Sequence, residues 1–146
     1  MTLEKLKKTI AEIDGEVVLR SDLAQFGSER AVSRMIKELV VEGVITRIGL
    51  GIYAKTVPGK FVNRPVLRTT FAEVGWQACQ RLGIEVQLGR AMREYNEGKS
   101  TQVPVRIIFN TGQRIVKRKI ARGLQQIYFE NEISRGLYPS PLEKNS

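Results

Sequence analysis

Through residue 57 the apolar positions recur at helical spacing, and the runs break at glycine. Leu3, Leu6, Ile10 and Ile13, three and four apart behind Thr2, predict an amphipathic helix over residues 3–13 with Thr2 as its N-cap. Asp14-Gly15 ends it, and Val17 to Arg20 reads as a short strand. Ser21-Asp22 then caps a brief helix over Leu23, Ala24 and Gln25 that stops at Gly27. Only Ser28 separates that glycine from Glu29, so two helices meet through a tight turn, the geometry of a helix-turn-helix, with Ser28 capping the second.

On a wheel of about 100° per residue, Val32, Met35, Ile36 and Leu39 share one apolar arc of the segment 29–42. Arg30, Arg34 and Lys37 fall within an arc of about 60° on the other side, with Ser33 beside them. Glu29 and Glu38 lie nearer the edges. One cationic face is therefore expected on a helix whose opposite face packs into a core.

Gly43 stops that helix, and Val44 to Ile48 and Ile52 to Ala54 read as antiparallel strands joined by Gly49-Leu50-Gly51. Three helices followed by a hairpin describe a winged helix. Arg47, Leu50 and Lys55 fall on or beside the wing, where the cations would reach phosphates while Arg30, Ser33, Arg34 and Lys37 face base edges. The Gly-x-Gly joins two strands and does not open a helix, which argues against a dinucleotide-type phosphate cradle.

Pro58, Gly59 and Pro65 mark residues 58–66 as a connector. Thr70 caps a further helix carrying Phe71, Val74, Ala78 and Leu82, with Trp76 off its apolar stripe and Gly83 closing it. Ile84 to Gln87 reads as a short strand and Gly89 to Asn96 as another helix. Residues 103–109 and 114–120 have strand composition around the turn Asn110-Thr111-Gly112-Gln113, and Leu124 to Glu130 adds a third strand. The expected whole is α+β: a winged helix over 1–57, a small basic α+β domain with an antiparallel sheet over 67–133, and a tail over 134–146 with Leu137 and Tyr138 as possible subunit contacts.

Charge sharpens this division. The chain of 146 residues has a net charge of +9, but residues 1–57 hold nine Lys/Arg against eight Asp/Glu, so nearly all the excess lies in the second half. From Lys99 to Arg122 there are seven basic residues, Lys99, Arg106, Arg114, Lys117, Arg118, Lys119 and Arg122, and no acidic one. On a strand over 114–120 the three consecutive cations would show charge on both faces, either as protection of a sheet edge or as a contact for phosphates or an acidic protein.

The sequence contains no histidine, which removes the commonest general base and metal ligand; neither an enzyme, a metal site nor a cofactor is expected. The lone Cys79 fits a small buried hydrophobe in a reducing cytoplasm. No apolar stretch is long enough to predict a membrane span or a signal core. Glu94 and Glu97 are spaced as a carboxylate pair, with nothing nearby to complete a site.

The stretches SERAVSRMIKELVVEGVITRIGLGIYAK and YNEGKSTQVPVRIIFNTGQRIVKRKI resemble the AbiEi-like antitoxin group and its short relatives, over most of residues 16–130. The most distinctive piece is Ser100-Thr101-Gln102-Val103-Pro104, whose polar side chains before a proline also suit a turn that sets the direction of the following strand. The resemblance implies an N-terminal winged helix and a small α+β domain. It also implies a regulator that binds promoter repeats and represses its own operon, with the second domain contributing to antitoxin action against a nucleotidyltransferase-like toxin. By position, Arg30, Ser33, Arg34 and Lys37 fall on its recognition helix and Arg47 to Lys55 on its wing.

The function expected from these readings is a regulator of transcription that binds duplex DNA, as a homodimer on half-sites about one helical turn apart. Two rivals stand beside it. In one, the basic second domain holds an acidic partner such as a toxin. In the other, the basic strands bind RNA, with Tyr128 and Phe129 as stacking surfaces.

Overall fold

A computed structural model describes residues 2–102 and 104–134. The tail beyond Ser134, including Leu137 and Tyr138, and Val103 of the Ser-Thr-Gln-Val-Pro segment lie outside the described residues. The chain is mixed α+β and divides into two compact units between Arg81 and Leu82.

The first unit opens with α1 (Leu3–Glu12), whose cap is Thr2, its hydroxyl accepting the Lys5 N–H at 3.3 Å. β1 (Val17–Leu19) follows, then a 3₁₀ helix (Arg20–Phe26) and α2 (Glu29–Val41). The expected Ser21-Asp22 cap sits differently: the helix begins at Arg20, and Asp22 reaches back so that its carboxylate accepts the Leu19 N–H at 2.9 Å. Leu6, Ile10, Val18, Leu23, Val32, Ile36, Leu39 and Ile45 form the core between these elements, with Met35 half-buried at its margin.

α2 ends as the glycine foretold, in a Schellman motif. Gly43 takes φ +78°, its N–H bonds the Val40 carbonyl at 3.1 Å, and the Val44 N–H bonds the Leu39 carbonyl at 3.0 Å. β2 (Ile45–Gly49) and β3 (Ile52–Pro58) then pair antiparallel across a turn of only Leu50 and Gly51, the latter at φ +71°. β3 is the central strand of β1-β3-β2.

The expected connector over 58–66 is instead a second hairpin. β3 continues to Pro58, turns, and pairs with β4 (Pro65–Leu67) in the register Thr56 to Leu67. The next helix, α3 (Phe71–Arg81), belongs to the first unit and not to the second. Gln77 Oε1 accepts the Glu16 N–H at 2.7 Å, while Arg81 donates to the Val17 carbonyl at 3.0 Å and to Asp22 at 2.5 Å. Phe71, Val74, Ala78 and Cys79 are its buried face, and burial pushes the Cys79 thiol up to about 11, the behaviour of a packed hydrophobe. Trp76 is half-buried.

Arg68 clamps Glu16 with two bonds, at 2.8 and 2.9 Å, and that hydrogen bonding holds the carboxyl below its ordinary range. Because the folded value is depressed, the stabilisation is present above the usual carboxylate value and lost as pH falls through the folded one. Glu16→Gln should therefore cost about 1 kcal/mol or less at neutral pH, Arg68 being partly exposed, and should flatten the acid limb of a stability-versus-pH curve. Chemical denaturation at pH 7 and pH 3 measures both; parallel curves for the two proteins would contradict it.

The second unit contains β5 (Gln87–Leu88), α4 (Arg90–Asn96), β6 (Ile107–Asn110), β7 (Ala121–Arg122) and β8 (Gln125–Glu130), in sheet order β5-β6-β8-β7. Its connectivity departs from the expected meander. Residues 114–120 form no strand, and β6 pairs with β8 in parallel while β7 and β8 make the antiparallel hairpin. Two buried polar residues explain why the chain leaves β6 without folding back on it. Asn110 donates to Glu130 at 2.7 Å and Glu132 at 3.0 Å and accepts the Gly112 N–H at 2.8 Å; Thr111 bonds the carbonyls of Arg114 and Glu130. Glu130 also accepts the Arg90 N–H at 2.9 Å, supplying the N-terminus of α4 with the cap that Gly89 lacks. Among the described residues no helix is long and apolar enough to cross a membrane.

Candidate nucleic-acid interface

Burial of Val32, Ile36 and Leu39 fixes the rotation of α2, and the opposite face is left to solvent. Arg30, Arg34 and Lys37 are all exposed there, as the wheel required. Ser28 is the N-cap, its hydroxyl accepting the Ala31 N–H at 3.2 Å. Near the C-terminal end of the helix, Val41 is 83% exposed and lines a recess of about 380 Å³ with Arg34, Lys37, Glu38 and Glu42. The outer face thus offers two kinds of cation, one apolar side chain and flanking carboxylates, a set able to meet purine acceptors, a thymine methyl and a cytosine amino group respectively.

Ser33 is exposed but already engaged. Arg20 donates to its hydroxyl at 2.9 Å and to the Glu29 carbonyl at 2.9 Å, and the Arg20 N–H bonds the Gly51 carbonyl at 2.9 Å. Arg20 therefore ties the turn of the hairpin to the first turn of α2. In sequence Arg20 ends a short strand and carries no sign of this role, because the partners that define it lie up to 31 residues away.

In the turn between β2 and β3, Leu50 is 78% exposed. Arg47 is exposed, although its Nε donates to the Gly49 carbonyl at 3.1 Å and the side chain lies along its own turn. Lys55 is a correction: it is 5% exposed, and its ammonium donates to the carbonyl of Ile13, the residue that ends α1. That terminus offers carbonyls to a cation, which is why the side chain points inward. Desolvation lowers its pKa, and Lys55 is not available to a phosphate.

The second unit distributes its cations unevenly. Lys99 pairs with Glu97 at 2.9 Å, and Arg106 lies 5.4 Å from the Tyr128 ring centroid in a cation–π contact. Arg114 reaches the Gly83 carbonyl at 3.5 Å. Lys117, Arg118 and Lys119 are exposed together on the irregular crossover between buried Val116 and Ile120, and Arg122 is half-buried on β7. The stacking platform expected from Tyr128 and Phe129 is not formed: Arg106 covers the first, and the second is 1% exposed and packs edge-on to Phe109 at 6.5 Å.

In the Ser-Thr-Gln-Val-Pro segment, Ser100 accepts the Gln102 N–H at 3.2 Å, a local turn of the expected kind. Ser100, Gln102 and Pro104 line a recess of about 530 Å³ with Ala91, Glu94 and Val105. A scan against protein-family models finds no match for the chain, and a search of curated proteins finds none.

Proposed function

We propose that this chain is a DNA-binding regulator of transcription that reads duplex DNA with the outer face of α2 and steadies it with the Leu50 hairpin as a wing. The single observation that carries this reading is the joint exposure of Arg30, Arg34 and Lys37 on one side of a helix whose other side is fully committed to the core. Arginine and lysine there suit guanine O6 and N7, and a helix is the element a major groove admits. One helix reads few base pairs, so useful specificity calls for a homodimer on repeated half-sites. The resemblance to AbiEi-like antitoxins adds an autorepressor at its own promoter, with a toxin as the partner of the second unit.

The exposed Lys117-Arg118-Lys119 triplet favours a polyanion over a neutral partner, and on this reading it supplies phosphate contacts. Replacing all three by glutamine should weaken binding to every duplex alike and reduce the slope of log K against log salt by up to about 3. Titration of a labelled promoter duplex at several salt concentrations, with random duplex and single-stranded RNA as competitors, tests function and assignment together. Preference for RNA, or no binding to any duplex, would refute the function. An unchanged salt slope in the variant would leave the triplet to an acidic protein such as a toxin.

A further inference from the structure

The loop of the second hairpin, residues 59–64, lies within the stretch 58–66 whose composition reads as a connector, and its construction is more specific than that. Its base is closed by the Gly59 N–H on the Arg64 carbonyl at 3.2 Å. Gly59 is jammed against its own loop: a Cβ there would meet the Arg64 carbonyl oxygen at 2.7 Å and the Val62 carbonyl oxygen at 2.9 Å. The chain between is thereby folded tightly, and Phe61 is driven outward to 95% exposure, with exposed Lys60 and Arg64 on either side of it. An aromatic side chain so exposed gains nothing from the fold that presents it.

Charge and position choose the occupant. From Gly43 to Ala72 the chain carries five basic residues and no acidic one. Two of the five are committed inside the unit, Lys55 at Ile13 and Arg68 at Glu16, while Lys60 and Arg64 face solvent. A second copy docked symmetrically on this loop would set its Lys60 and Arg64 against the same residues of the first, an unfavourable like-charge contact. The loop also stands at a defined end of α2. The Thr56 hydroxyl donates to the Gly43 carbonyl at 2.6 Å, and Pro65 lies against Gly43, so the hairpin base adjoins the helix C-terminus just as Arg20 fixes the Leu50 turn beside its N-terminus. Two hairpins therefore flank one cationic helix.

We propose that the 59–64 loop is a second duplex contact, in which Lys60 and Arg64 hold backbone phosphates and Phe61 wedges against a base step in the groove next to the one α2 occupies. An apolar wedge between basic residues is the chemistry that partly unstacks and kinks DNA, most cheaply at a pyrimidine–purine step. The inference rests on duplex binding by α2 but is separable from it.

The probe is a fluorescent duplex selected from a random pool by the full wild-type chain, with 2-aminopurine placed at successive positions to report unstacking. Wild type should raise 2-aminopurine fluorescence at one step outside the α2 half-site. Phe61→Ala should abolish that signal and weaken binding about tenfold. Phe61→Trp should restore both. Because Phe61 is almost wholly exposed, neither change opens the core. If Phe61→Ala binds and unstacks like wild type while Arg34→Ala does not bind well, the loop assignment is wrong and the helix assignment stands. Two other results would overturn it: conversion of a dimer to a monomer by Phe61→Ala in sedimentation, assigning the loop to subunit contact, or its loss of binding to anionic phosphatidylserine vesicles with DNA affinity intact. A wild-type chain that selects no duplex refutes the loop and the α2 reading together.

Discussion

Arg34→Ala should reduce the preference for a selected duplex over random duplex by about 1–3 kcal/mol, about five- to 150-fold, with Lys37→Ala in the same range. Both side chains are exposed on the solvent face of α2, so truncation leaves the core intact, and under the proposed function the loss falls on contacts to the groove. The loss should be concentrated on one or two base positions, because a bidentate donor that reads guanine is indifferent elsewhere. Competition binding with singly substituted duplexes maps those positions. An equal loss on every sequence would show that Arg34 is a phosphate contact and would remove base readout from this part of the helix.

The largest expected effect on stability comes from the opposite side of the same helix. Leu39 is fully buried among α1, β1 and β2 residues, and Leu39→Ala should cost about 2–5 kcal/mol through lost transfer energy and the cavity left behind. That is a large share of the roughly 5–15 kcal/mol that stabilises an ordinary domain. Cys79 gives a direct reading of this unit, since its thiol is fully buried and pushed up to about 11. Thiol labelling at pH 8 should be much faster in Leu39→Ala than in wild type, in step with a lower denaturant midpoint. A loss below about 1 kcal/mol with unchanged labelling would mean that Leu39 does not anchor α2.

The cationic helix α2 was legible because each signal for it is local: the Ser28 cap, apolar spacing that turns one face inward, and a glycine able to adopt φ +78° at its end. Lys55 was misplaced for the converse reason. Beside the 49–51 turn in sequence it looks like a surface cation, and only the placement of the α1 terminus near β3 supplies the carbonyl that draws it in. Residues 58–66 contain two prolines and a glycine, the composition of a linker, yet Pro58 and Pro65 face each other as partners of a hairpin. The composition of 114–120 promised a strand, and Asn110 and Thr111 override it by binding side chains and carbonyls around Glu130. Such long-range polar bonds leave no periodic trace in sequence. The α+β class was thus readable from pattern, whereas the parallel pairing in the second unit was not.

That parallel pairing also sets an order of assembly during synthesis. Ile107 to Asn110 leave the ribosome well before Gln125 to Glu130, and at roughly 5–20 residues per second their partner strand arrives on the order of a second later. For that interval Ile107, Ile108 and Phe109 form an unmatched apolar edge, the kind that recruits neighbouring nascent chains. The residues emerging meanwhile are Arg114, Lys117, Arg118 and Lys119, whose mutual repulsion between chains acts as a gatekeeper until β8 can dock.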